Sequence, residues 1–171
     1  NNLMRALEFE ELGHEVGIHV RAISESLNVR RSPEWILTEA LGDLRAFGLR
    51  VDGFVAHGET NSAGSCYRED GTLEFVNDEM FTECRRDNLG DAVRWVTRGK
   101  TSVLIDPQPM RNYHLHYAAN YLPREDYLSD SGNHWSQSFG AVVSRFRNGS
   151  GQLHVLLHPD WWAEAFVGVT V

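Results

Sequence analysis

Cysteine is scarce in this chain: Cys66 and Cys84 are the only two in 171 residues. Two thiols make no disulfide framework, and neither belongs to a Cys-x-x-Cys pair that would point to thiolate-held zinc. A reducing compartment is the simpler setting, and a cytoplasmic location is the expectation. No run of about 18 apolar residues occurs, so nothing reads as a membrane span. The opening Asn1-Asn2-Leu3-Met4 has no basic-then-apolar secretion pattern. It also has no methionine at position 1, so the chain is expected to begin inside a longer gene product. Long basic runs are missing too, and the formal net charge is −8. Charge of that sign repels phosphate backbones and anionic lipid, which argues against nucleic acid and membrane as partners. A neutral or weakly charged substrate fits better.

What is present reads as one globular domain over residues 1–171, with no repeat and no low-complexity stretch. Residues 2–12 carry Leu3, Ala6 and Leu7 at helical spacing, and Gly13 suits a left-handed stop. His14–Val20 alternates as a strand, with Val16, Ile18 and Val20 on one face and His19 on the other. Ser32-Pro33-Glu34 starts a helix that runs to Phe47 and ends at Gly48. Val51–His57 reads as a strand. Asn77 is placed to cap a short helix carrying Met80, Phe81 and Cys84, and Asp91–Thr97 reads as another helix. Strands follow at Thr101–Asp106, near Tyr127–Asp130 and at Leu153–His158, the last before a Trp-rich helix from Asp160. Strands alternating with helices favour parallel strands joined by helical crossovers, an α/β class.

Three of these strands run into a histidine: Gly17-Ile18-His19, Val55-Ala56-His57 and Leu156-Leu157-His158. In a parallel α/β barrel the strand ends converge on one face, so residues distant in sequence meet there. Imidazole suits zinc and other late divalent metals. Two histidines with a carboxylate make a hydrolytic site, where the cation lowers the pKa of water and polarises a carbonyl. His14, His114, His116 and His154 fit ordinary structural positions better.

Gly13-His14-Glu15-Val16-Gly17-Ile18-His19 resembles the GHE-[IV]-G-x-H strand of the NodB-homology polysaccharide deacetylases (carbohydrate esterase family 4). Leu156-Leu157-His158-Pro159 resembles their closing L-x-H-P motif. Tyr127-Leu128-Ser129-Asp130-Ser131-Gly132 with Trp135, and the tail His158-Pro159-Asp160-Trp161-Trp162, look like an atypical branch associated with bacterial surface-polysaccharide gene clusters. The similarity runs to about residue 166.

The resemblance implies a distorted (β/α) barrel of the polysaccharide deacetylase type, incomplete at the N-terminus. It implies a divalent metal, zinc by preference, and removal of an N-acetyl group from a sugar or polysaccharide precursor. His19 would bind the metal. His158 would be the general acid that protonates the leaving amine, with Asp130 holding its second ring nitrogen. The family's opening aspartate motif has no counterpart here, so two strands and a helix of the barrel are expected upstream. The family's second metal histidine is also missing, because its zone reads Arg21-Ala22-Ile23-Ser24; His57 is the candidate replacement. The family's Arg-x-Pro motif is absent where Ala56-His57-Gly58-Glu59 stands. Trp135 is the candidate for stacking on a sugar ring, and Glu59 and Asn61 are candidate substrate contacts. The alternative is a non-catalytic deacetylase-like domain, carbohydrate-binding or structural, that has lost the catalytic aspartates.

Overall fold

A computed structural model describes residues 2–57, 77–84, 93–130, 134–147 and 151–157. The elements, in chain order, are α1 (Asn2–Glu11), β1 (Ile18–Val20), α2 (Ala22–Val29), α3 (Pro33–Ala46), β2 (Gly53–Ala56), β3 (Arg94–Arg98), β4 (Thr101–Ile105), β5 (Tyr117–Ala118), β6 (Asp126–Ser129), α4 (Phe139–Phe146) and β7 (Leu153–Leu156). Short 3-10 turns lie at Asn77–Met80, Thr82–Cys84, Met110–Tyr113 and Ala119–Tyr121. The chain divides into two compact units, Asn1–Tyr121 and Leu122–Val171.

Local signals set the ends of the first unit's long helices. Gly13 stops α1 at φ +89, where its N–H returns to the Glu10 carbonyl at 2.9 Å and His14 N–H to the Phe9 carbonyl at 3.0 Å. Glycine enters that left-handed region without a Cβ penalty. Ser32 caps α3, its hydroxyl oxygen accepting from Trp35 N–H at 3.2 Å, with Pro33 in the first turn. Leu37 and Leu41 of α3 are buried, and Leu3, Ala6 and Leu7 of α1 pack against the same core.

That core is centred on a parallel three-stranded sheet in the order β1-β2-β5. Ile18, His19 and Val20 stand opposite Phe54, Val55 and Ala56, and Gly53 stands opposite Tyr117. Phe54 stacks on Phe81 with ring centres 4.4 Å apart, and Phe81 meets Tyr113 edge-on at 5.8 Å. Offset and edge-on pairs of this kind add about 0.5–1.5 kcal/mol beyond the area they bury. Gly53 is required by Tyr117: a Cβ there would sit 2.2 Å from the tyrosine ring, which is anchored by its hydroxyl donating to Glu15.

The described part of the segment read as a helix over Asp91–Thr97 is instead β3, which pairs antiparallel with β4. The reason lies in its period. Val96 is buried while Trp95 and Thr97 on either side are exposed, an alternation of two rather than 3.6. Gly99, at φ +60, closes the hairpin with Lys100. The strand expected over His14–Val20 pairs only over Ile18–Val20. Arg21-Ala22-Ile23-Ser24, read without an element, opens the helix α2. In the second unit β6 and β7 run parallel, Ser129 opposite Leu156, and Leu128 of β6 and Val142 of α4 are fully buried. The sheets of the described residues are short and open.

Two outcomes follow. Gly53→Ala drives a methyl into the Tyr117 ring, and chemical denaturation is expected to show a loss of about 1–3 kcal/mol, the usual range for overpacking. The second concerns alkali. Burial, then Asp78 and Glu83, push the Cys84 thiol from 9.0 up to about 12. Burial, then Glu34 and Asp106, push Tyr113 from 10.0 up to about 12. Burial and the bond to Glu15 raise Tyr117 likewise to about 12. The folded state holds these protons more tightly than the unfolded chain does. Their contribution is therefore intact below about pH 9 and declines as pH rises toward 12. Melting temperature measured from pH 8 to 11 is expected to fall steadily above pH 9, and Tyr113→Phe to flatten part of that fall.

Candidate functional site

His19 belongs to β1 and His57 follows β2 directly. The register sets His19 opposite Val55, and side chains on a strand repeat their face every two residues. His57 therefore comes up on the same face as His19, one step further along. The ladder continues to it, because His57 N–H donates to the Val20 carbonyl at 2.9 Å. The two imidazole rings lie with centres 5.0 Å apart and planes inclined by 38°. His19 is exposed and His57 half-buried.

What holds His57 in place is Asn77. Its carboxamide nitrogen donates to the His57 carbonyl at 2.9 Å and to the Ser24 hydroxyl at 2.9 Å. Its carboxamide oxygen accepts from the N–H groups of Ile23 at 3.0 Å and Ser24 at 3.1 Å. Those are the second and third residues of α2, the positions an N-cap side chain normally serves. Arg21, which precedes the helix, supplies no such bond. A residue more than fifty positions downstream thus caps α2 and ties it to the end of β2. Asn77 and Ser24 are both fully buried. The sequence placed Asn77 as the cap of its own short helix; nothing local signals that it serves another.

Around this clamp lie buried acids. Asp78 accepts from the Tyr121 hydroxyl at 2.8 Å, and Glu79 pairs with Arg94 of β3. A small cavity of about 150 Å³ lies beside His19, lined also by Arg21 and Glu25 of the α2 start and by Ile36 and Ala40 of α3. It is well below the 300–1,000 Å³ of ordinary ligand pockets.

The imidazole pair can be tested against a metal by its chemistry. Two imidazoles on one tetrahedral zinc, with bonds of about 2.0–2.1 Å, have ring centres about 5 Å apart. The observed separation is compatible with two such ligands. Among the described residues no group of three or more His, Cys, Asp or Glu side chains is gathered for a metal.

The remaining candidates fall elsewhere. Asp130, fully buried, follows β6 in the second unit, and its N–H donates to the Leu156 carbonyl at 3.3 Å. It thus stands beside the end of β7, which His158 follows by two positions in sequence. Trp135 is half-buried in the same unit, in the segment that returns along β6 through Ser136, whose N–H donates to the Ser129 carbonyl at 2.7 Å. His158, Glu59 and Asn61 lie outside the described residues. Of the other histidines, His14 meets Phe9 edge-on at 5.8 Å, and His114 adopts the left-handed conformation that ends a 3-10 turn.

Compared with known proteins, the chain matches no family model, no curated protein and no solved structure. No helix among the described residues is long and apolar enough to cross a membrane.

The clamp yields a prediction. Asn77→Ala strands two buried helix N–H groups and the His57 carbonyl, and is expected to cost about 2–4 kcal/mol in chemical denaturation. Asn77→Asp keeps the acceptor for Ile23 and Ser24 but loses the donor to His57. It is expected to fall between wild type and alanine.

Proposed function

We propose that the chain is part of a distorted (β/α) barrel of the polysaccharide deacetylase type, and that it serves metal-dependent removal of an N-acetyl group from a sugar. The observation that carries this is the convergence of His19 and His57. Each stands at a strand end, and their ring centres lie 5.0 Å apart, a spacing compatible with two ligands of one cation. Parallel pairing of β1 with β2 and of β6 with β7 supports the same reading.

In this reading His19 and His57 hold a divalent metal, zinc by preference. When bound, that metal supplies Lewis-acid polarisation of the amide carbonyl and a lowered pKa for water. To hold it, each ring would present a deprotonated nitrogen to the cation. The Asn77 clamp fixes the backbone at His57 and limits the freedom of its ring relative to His19. His158 gives a proton to the nitrogen of the departing amine, turning a poor leaving group into a neutral one. Asp130, buried at the end of β6, would be the partner of the other ring nitrogen of His158. Trp135 offers an apolar face to a sugar ring, and Glu59 and Asn61 contact its hydroxyls.

The test is metal content joined to acetate release. Isothermal titration with zinc is expected to give one site per chain. His19→Ala and His57→Ala are each expected to weaken it by at least about 10- to 100-fold, the loss seen even when a mere supporting residue of a metal ligand is removed. Acetate release from N-acetylglucosamine oligomers is expected to disappear in both variants and in His158→Ala. Chain that binds no zinc, with both rings intact, would contradict the proposal. Zinc or sugar binding without acetate release would favour the non-catalytic carbohydrate-binding alternative.

A further inference from the structure

At the far end of α2 from the imidazole pair lies a second, larger concavity of about 480 Å³. The helix has eight residues, so the two ends are about 12 Å apart along its axis. One wall is the α2–α3 connection with Arg30 and Arg31. The other is the β3–β4 hairpin with Trp95, Lys100, Thr101 and Ser102.

We infer that this groove binds an acidic saccharide, a sugar ring carrying a carboxylate. Three observations converge. The first is charge. Arg30, Arg31 and Lys100 line the groove, Arg31 with its guanidinium 5.0 Å over the Trp35 ring; no carboxylate lines it, and among the described residues none of the three makes an ion pair. In a chain of net charge −8, three such cations in one concavity form a local reversal of the field.

The second is the indole. Trp95 is 66% exposed, and its cross-strand partner Leu104 is 41% exposed. Strand alternation explains which face they take; it does not explain why that face carries an indole rather than the Thr–Ser pair found one step along, Thr97 and Ser102, whose hydroxyls bond at 2.8 Å. An exposed indole beside hydroxyls and cations matches the apolar CH face, the hydroxyls and the acid of a uronate ring.

The third is the backbone at Arg30. This residue is the left-handed C-cap of α2, at φ 57 with its N–H donating to the Ser26 carbonyl at 3.0 Å, at the helix end that walls the groove. The arginine is kept there at the mouth of the groove. A polyphosphate such as a nucleotide is the competing anion. A polyphosphate crowds its charge onto adjacent groups, whereas a uronate chain carries one carboxylate per ring, each beside an apolar CH face that suits an exposed indole.

The inference stands on these residues and not on the hydrolytic reading; zinc binding at His19 and His57 can fail while it holds, or the reverse. The experiment is titration of the whole chain at low salt with trigalacturonate, its methyl ester and ADP, followed by calorimetry and by the indole N–H resonances. Trigalacturonate is expected to bind with Kd below about 1 mM, and the neutral methyl ester at least about 10-fold more weakly. Binding is expected to weaken as salt rises. Trp95→Ala and Lys100→Glu, both at exposed positions, are each expected to reduce affinity by about 10-fold while the far-ultraviolet circular dichroism is unchanged. Equal affinity for acid and ester overturns the proposal. So does tighter binding of ADP than of trigalacturonate, or indifference to both substitutions.

Discussion

The Asn77 carboxamide is the interaction on which the described site depends. An eight-residue helix is marginal by itself, since nucleation is costly and few bonds repay it. The residue before α2 offers no cap, and its first turn is occupied by Ala22, Ile23 and Ser24, of which only serine has polar capacity. Asn77 closes that gap with an oxygen shared between two helix N–H groups. The same side chain uses its nitrogen on the His57 carbonyl. One buried group therefore joins a helix start, a strand end and a 3-10 turn. Each would otherwise leave polar atoms stranded in a core that contains Ile23, Phe54 and Phe81.

The histidine pair then follows from backbone geometry more than from any attraction between rings. Parallel register puts His19 beside Val55, period two carries the face on to His57, and the clamp on the His57 carbonyl fixes the step. Rigidity comes from the same places as stability. Gly17 lets β1 approach β2 so closely that a Cβ would meet the Gly53 carbonyl oxygen at 2.9 Å, and Gly53 in turn accepts the Tyr117 ring.

Much of the architecture was legible where the signal was local. Ser32-Pro33 and Gly13 mark helix ends by side-chain and backbone chemistry that needs no partner, and both act as read. The two histidines were legible because each ends an apolar run, although only the register brings them into contact. What stayed hidden was non-local. α2 went unread because its cap lies in another part of the chain. The stretch Asp91–Thr97 is too short for its period to separate a helix from the strand β3. Its true period appears only when β4 pairs with it and sorts Trp95 and Thr97 to one face. Asn77 was recognised as a capping residue, but the helix it caps could not be known before the fold brought them together.

The two concavities of the first unit show why composition alone undervalues local chemistry. A net charge of −8 argues against polyanions such as nucleic acid, whose many charges sample the field of the whole molecule. A single carboxylate samples about one Debye length, some 8–10 Å at ordinary salt, and within that radius it is Arg30, Arg31 and Lys100 that count. α2 connects this basic end to the imidazole end, with its first turn pinned by Asn77 and its C-cap, Arg30, in the left-handed region. A helix fixed at both ends by such different means cannot shift without breaking one of them. The spacing between the ring pair and the groove is therefore a constant of the fold.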